Sequence, residues 1–187
     1  MPKFFIEKIN NNTVFFSKED KNHILKSLRK NEGDIIEACD MKGYDYLVRL
    51  KLQEGVLSAD IIQKTKNETE PVTKVTLYQA MPKGDKMDMI IQKATELGIN
   101  EIIPFESEFC TARINEKTSK KIPRYNKIAL EAAMQSGRGI SPKVKNALTF
   151  DEMLDDAIKH ELCLFFYENS TDTFSELFKD KKYDDIA

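Results

Sequence analysis

Two short stretches hold the side chains best placed to do chemistry. Met81-Pro82-Lys83-Gly84-Asp85 sets an ammonium, a glycine and a carboxylate side by side. Gly84 lets a ligand approach the backbone closely, and Lys83 offers its charge to a phosphate or carboxylate. The extra glycine and the Ser/Thr of a Walker loop are missing, and a plain turn with Asp85 capping the next helix uses the same residues. The second stretch is Glu131-Ala132-Ala133-Met134-Gln135-Ser136-Gly137-Arg138. Glu131, Gln135 and Arg138 fall at i, i+4 and i+7 on one stripe of a helix, beside two alanines that permit close packing. A guanidinium at a helix end, next to an amide and a hydroxyl, can hold a base edge or a phosphate. The plain alternative is a helix stop at Gly137 with Arg138 on the negative end of the dipole.

Other chemistries find no support in the pattern. His23 and His160 are far apart and sit in no Ser/His/Asp or metal-ligand arrangement, which disfavours a nucleophilic hydrolase and a metal centre. Cys39, Cys110 and Cys163 are odd in number and scattered, so neither a disulfide framework nor a zinc site is expected. Cys39 and Cys163 fall inside apolar runs and read as core residues. GxGxxG, GxSxG and HExxH motifs are all missing. Asp88, Gln92 and Glu96 form a polar stripe that reads as the wet side of an amphipathic helix, or as a surface buried in a dimer.

The elements that must position these residues fall into two patterns. Residues 1–65 read as short β runs (Phe4-Phe5-Ile6, Thr13 to Phe16, Asp34 to Cys39, Tyr44 to Leu52, Val56 to Ile62) with one helix started by Ser17. The expected form is a meander of hairpins, as in a small barrel. Residues 66–73 are polar, contain Pro71, and read as a linker. From Lys74 strands alternate with longer helices. A strand at Val75 to Ala80 precedes a helix from Lys86 to Leu97, whose Met87, Ile90, Ile91, Ala94 and Leu97 make an apolar stripe ending at Gly98. A second strand follows at Ile102 to Phe105. A long helix then carries Tyr125, Ile128, Ala129 and Ala132 inward, and another spans Asp151 to His160. Leu162 to Tyr167 reads as a strand covered on both faces, and Asp184 to Ala187 as the opening of one more. The alternation predicts an open, mostly parallel α/β sheet, so the expected division is 1–70 and 74–187.

The 187 residues carry 29 basic and 31 acidic side chains, unevenly spread. Residues 73–147 hold 13 basic against 8 acidic, whereas residues 148–187 hold 4 against 11. A basic middle that also contains both motifs points weakly to a phosphate-bearing partner, although a solvated surface explains the same charges. No run of about 18 apolar residues occurs, and the first residues lack the pattern of a signal peptide. A reducing cytoplasm is the expected setting.

Taken in order, Lys3-Phe4-Phe5, His23-Ile24-Leu25-Lys26-Ser27-Leu28-Arg29, Gly33-Asp34, Pro82-Lys83-Gly84-Asp85-Lys86-Met87-Asp88, Gln92-Lys93-Ala94-Thr95-Glu96-Leu97-Gly98 and Glu131 to Arg138 resemble the ribosomal small-subunit RNA methyltransferase E family, in register over the whole chain. The resemblance implies methylation of N3 of a uridine in 16S rRNA with S-adenosylmethionine as cofactor. It also implies a PUA-like RNA-binding β-barrel over 1–70 and a SPOUT α/β domain over 74–187, acting as a homodimer. Members continue past the equivalent of Ile186-Ala187 with a Gly-Pro-Glu-Gly-Gly loop and an Arg-Thr-Glu-Thr-Ala segment. The SPOUT domain is therefore expected to be incomplete here, C-terminally truncated without its knot segment, and the 187-residue chain to be inactive alone. By the same resemblance, Lys3, His23, Lys26 and Arg29 are expected RNA contacts, Lys3 standing where arginine is commoner. Arg138 is expected to orient the uracil or its phosphate as the catalytic residue. Lys83, Arg113, Gln135 and Ser136 are expected to help dock RNA, with cofactor contacts supplied from downstream of Ala187. Methyl transfer to N3 is an in-line displacement that needs positioning and the loss of a weakly acidic N–H, and the uracil must be turned out of the RNA. The alternative is a noncatalytic RNA-binding or dimerisation piece.

Overall fold

The computed structural model describes residues 3–53, 55–108, 110, 113–166, 169–171, 173–179 and 181–187. The chain forms two compact units, one of Met1–Glu70 with Leu130–Ser141, the other of Pro71–Ala129 with Pro142–Ala187. The segment 130–141, expected with the second unit, is counted with the first.

In the first unit the order is β1 (Phe4–Phe5), β2 (Lys8–Asn10), β3 (Thr13–Phe15), α1 (Lys18–Asn22) running into a π-helical turn (His23–Ser27), β4 (Ile35–Cys39), β5 (Tyr44–Gln53) and β6 (Val56–Lys66). They make one curled sheet in the order β1-β4-β5-β6-β3-β2. Alternation along β5 buries Tyr46, Val48 and Leu50 and leaves Leu47 and Arg49 outside, with a register shift between Leu47 and Val48 that bends the strand. These side chains meet Phe4, Val14, Ile24, Ile36 and Ala59 in the core. Ser17 caps α1 by accepting from the Asp20 N–H at 3.0 Å. A simple meander does not describe the unit, because β1 joins β4 in parallel.

The second unit contains β7 (Lys74–Ala80), α2 (Lys86–Glu96), β8 (Glu101–Phe105), α3 (Glu116–Ser136, its last residues counted with the first unit), β9 (Lys143–Val144), α4 (Phe150–Ala157), α5 (Phe174–Leu177) and β10 (Asp185–Ile186). The sheet order is β10-β7-β8-β9 with every pair parallel, so the chain is a mixed α/β protein. Met87, Ile91 and Ala94 of α2 pack with Ile102, Tyr125, Ala129 and Val144. Leu97 departs from the expected stripe: it follows the last helical residue and is 84% exposed.

The run from Leu162 is not the expected strand covered on both faces. Leu162 makes one parallel bridge to Ile186, and the Leu164 N–H donates to the Ala187 carbonyl, but the described β10 is two residues long. Phe165 and Phe166 are exposed, and so is Cys163, which was expected in the core. Tyr167 lies outside the described residues.

Candidate functional site

In the second unit the candidate residues come from the carboxyl edge of the parallel sheet, where ligands of such sheets bind. β7 and β8 are paired from Thr76 with Glu101 to Ala80 with Phe105, so the strands end level and their loops leave side by side. The Met81 N–H donates to the Phe105 carbonyl at 3.0 Å, fastening the first loop to the second strand. Beyond that tie the backbone turns through Gly84 at φ +70, a value that favours glycine, and open space surrounds the position a Cβ would take. Lys83 and Asp85 are both exposed. Asp85 does not cap α2 with its side chain as its type suggested, because its backbone sits near φ −92, ψ 9 rather than extended.

The loop after β8 carries Arg113. Its guanidinium donates to Glu106 at 2.8 Å and to the Glu108 carbonyl at 3.2 Å. The same Glu106 carboxylate accepts the Ile114 N–H at 2.6 Å. That backbone bond first, and the guanidinium second, hold the Glu106 carboxyl below its usual range. Lys83 and Arg113 thus project from neighbouring loops of one edge, Lys83 exposed and Arg113 tied to an acid. On α2, Gln92 and Lys93 both bond to Glu96 on the exposed side, as an ordinary wet face does, and Asp88 pairs with Arg124.

In the first unit the end of α3 is the counterpart. Gly137 (φ +73) stops the helix, and the Arg138 N–H returns to the Ala133 carbonyl at 3.0 Å. Gln135 and Ser136 stay exposed, the Ser136 hydroxyl donating to the Ala132 carbonyl at 2.7 Å. Arg138 leaves the stripe it was expected to share with Glu131 and Gln135: it lies 4% exposed, its Nη2 donating to Glu70 at 2.6 Å. Lys3 is likewise 6% exposed and paired with Asp45 at 3.0 Å. His23 meets the ring of Phe4 edge-on at 5.5 Å, while Lys26 and Arg29 are exposed on and after the π-helical turn.

Sequence reasoning missed Glu70, Asn67 and Asp45. The boundary between the units falls inside the polar run 66–73 read as a linker, and its residues up to Glu70 are counted with the first unit. Asn67 donates to Asp45 at 2.8 Å and accepts from the Thr69 N–H at 3.2 Å, and Glu70 accepts from the Gly139 and Ile140 N–H groups. No local signal marks the contacts that tie them into the unit, because those partners lie 22 to 70 positions away. His160, which the sequence places in no catalytic or metal-ligand arrangement, bonds to Tyr78 and Asp185.

A family model described as an RNA methyltransferase domain matches residues 68–187. The ribosomal RNA small subunit methyltransferase E of Bacillus subtilis is 34% identical over 178 residues, covering 91% of this chain and 70% of that protein. The protein of the same name from Mesomycoplasma hyopneumoniae is 33% identical over 170 residues, covering 91% of this chain and 73% of its own. Among solved structures, the Neisseria gonorrhoeae ribosomal RNA small subunit methyltransferase E bound to S-adenosyl methionine superimposes with a TM-score of 0.83 at 26% identity, over 100% of this chain and 77% of that one.

Proposed function

We propose, since this chain belongs to the ribosomal RNA small subunit methyltransferase E family, that it methylates N3 of a uridine in the 16S rRNA of the small ribosomal subunit. The observation that carries this reading is a similarity that runs through both units, 91% of the chain against the Bacillus subtilis relative, and so takes in both motif-bearing segments. In this reading the first unit is a PUA-like RNA-binding barrel, the second a SPOUT domain, and the working form a cytoplasmic homodimer.

The residues divide by exposure. Lys26, Arg29 and Lys83 are free to meet phosphates, and Gln135 and Ser136 present an amide and a hydroxyl to a base edge. Arg113 joins them by exchanging its carboxylate partner for a phosphate. Lys3, His23 and Arg138 act from behind: Lys3 and Arg138 are buried in ion pairs, and His23 is packed on Phe4. Arg138 is therefore a positioning residue rather than a group that touches uracil.

S-adenosylmethionine is the proposed methyl donor, on the strength of the gonococcal relative. A hollow of about 320 Å³ in the second unit, lined by Ile103, Lys145, Leu148, Asp156 and Lys159 among others, does not fit it. Its three carboxylates, Glu152, Asp155 and Asp156, outnumber its two ammonium groups, so charge does not repel a sulfonium, but the lining offers no aromatic face to the adenine.

The test is methylation of 30S subunits from a strain lacking the modification, by protein made from the complete gene. N3-methyluridine cannot pair, so it stops reverse transcription at one position of 16S rRNA. A stop there supports the reading; unlabelled RNA, or a methyl group that leaves pairing intact, overturns it. In a second reading these 187 residues are a noncatalytic RNA-binding or dimerisation piece. Titration of the chain with S-adenosylmethionine in a calorimeter separates the two, saturable heat excluding the second.

A further inference from the structure

We infer that Glu70 is the positioning residue for the Gln135–Arg138 block, an inference that rests on the RNA methyl-transfer reading above. One carboxylate gathers three donors: Arg138 Nη2 at 2.6 Å, the Gly139 N–H at 2.7 Å and the Ile140 N–H at 3.1 Å. A carboxylate that accepts both a guanidinium and adjacent backbone N–H groups fixes the chain direction as well as a side chain. Here it holds the turn that leaves α3, with Arg138 folded inward and Gln135 and Ser136 outward.

The neighbours of Glu70 grip the same segment. The Thr69 hydroxyl lies 3.4 Å from the Gly137 carbonyl. Asn67 sits so close to Gly139 that a Cβ there would stand 2.4 Å from its Oδ1, so any larger residue at 139 would have to push the Asn67 side chain aside. Asn67 is anchored in turn by Asp45, which also holds Lys3. Asn67, Thr69 and Glu70 therefore set where 137–140 lies, and with it the direction of the exposed amide and hydroxyl.

Glu70→Gln keeps the shape but turns an NH2 or an uncharged oxygen toward the guanidinium. The experiment compares it with Arg138→Gln and with the double variant, in protein made from the complete gene, by steady-state methylation of 30S subunits. Each single variant is expected to lose on the order of tenfold to a hundredfold in kcat/KM for subunits. KM for S-adenosylmethionine should stay unchanged, and the double variant should be no worse than Arg138→Gln alone. A merely structural role would instead lower the folded fraction and give additive losses. Wild-type kcat/KM in folded Glu70→Gln, beside a defective Arg138→Gln, overturns the inference and leaves the methyl-transfer reading standing. Absence of turnover by the wild type sinks that reading instead. Hydrogen exchange at the Gly139 and Ile140 amides then judges the clamp independently: acceleration by about tenfold or more supports it, and unchanged exchange overturns it. Should Glu70→Gln fail to fold, Glu70→Asp, which withdraws the charge by one methylene, is read in the same way.

Discussion

Tyr78 and His160 share one hydrogen-bond chain: the Tyr78 hydroxyl donates to Asp156 at 2.9 Å while Nε2 of His160 stands 3.2 Å from the same oxygen. Nδ1 of His160 lies 2.9 Å from Asp185. Tyr78 on β7 is thereby connected to the end of α4 and to β10.

Tyr78→Phe tests this chain. It removes one hydrogen bond and is expected to destabilise the protein by about 1 kcal/mol at neutral pH, measured by urea denaturation. The sign with pH follows from Asp156, whose carboxyl is held below its usual range by Lys159 first and by Tyr78 second. A lowered folded value gives stability that is present above the unfolded value and lost as pH falls through the folded one. The gap between wild type and Tyr78→Phe should therefore close on acidification below about pH 4. A gap that widens there refutes the assignment.

Gly139→Ala is expected to cost about 1–3 kcal/mol, the usual penalty of overpacking. Asn67 cannot simply move aside, since its short side chain is committed to Asp45 and Thr69. Asn67→Ala in the same chain opens the space and should recover part of the loss, so the two changes should be non-additive in denaturation midpoints.

The contrast between Gly139 and α2 shows how far the sequence could be read. Met87, Ile91 and Ala94 recur at helical spacing, so their shared face follows from local geometry, and the loop at Lys83 follows from standing between a strand and a helix. Glu70 and Arg138 are 68 residues apart, and nothing near either one announces the other. Leu162 to Phe166 departs from its reading, since Phe165 and Phe166 are exposed although the run is apolar throughout. Asp85 has the composition of a cap without the backbone angles of one. The candidate residues were legible as types, whereas their division into exposed and buried was set by long-range pairs.

The three thiols should separate cleanly under alkylation. Cys163 is exposed and Cys110 half-buried beside the Ser107 hydroxyl, whereas Cys39 is buried with its Sγ donating to the Gly139 carbonyl at 3.1 Å. Burial pushes the Cys39 thiol up to about 11. Iodoacetamide at mild alkaline pH, followed by mass spectrometry, should label Cys163 first, Cys110 next, and Cys39 only on unfolding. The raised value also means that Cys39 stabilises the fold below the unfolded thiol value of 9.0, and that this contribution is lost as pH rises toward 11.

Lys83 and Arg113 should differ in what they contribute to RNA binding, although both are cations at the same sheet edge. Lys83 is exposed, and contact with a phosphate would release counterions from the RNA. Arg113 must give up its Glu106 carboxylate to do the same, so one ion pair is exchanged for another. Lys83→Ala should flatten the dependence of log K on log salt by about 0.7 to 0.9, the value for one phosphate contact, and weaken binding evenly across RNA sequences. Arg113→Ala should produce a smaller change in slope, and Glu106→Gln should enlarge the role of Arg113 by freeing it from its charged partner. Filter-binding titrations of a 16S rRNA fragment over a range of salt concentrations read all three. Equal slopes for wild type and Lys83→Ala would remove Lys83 from the RNA surface, whatever its effect on turnover.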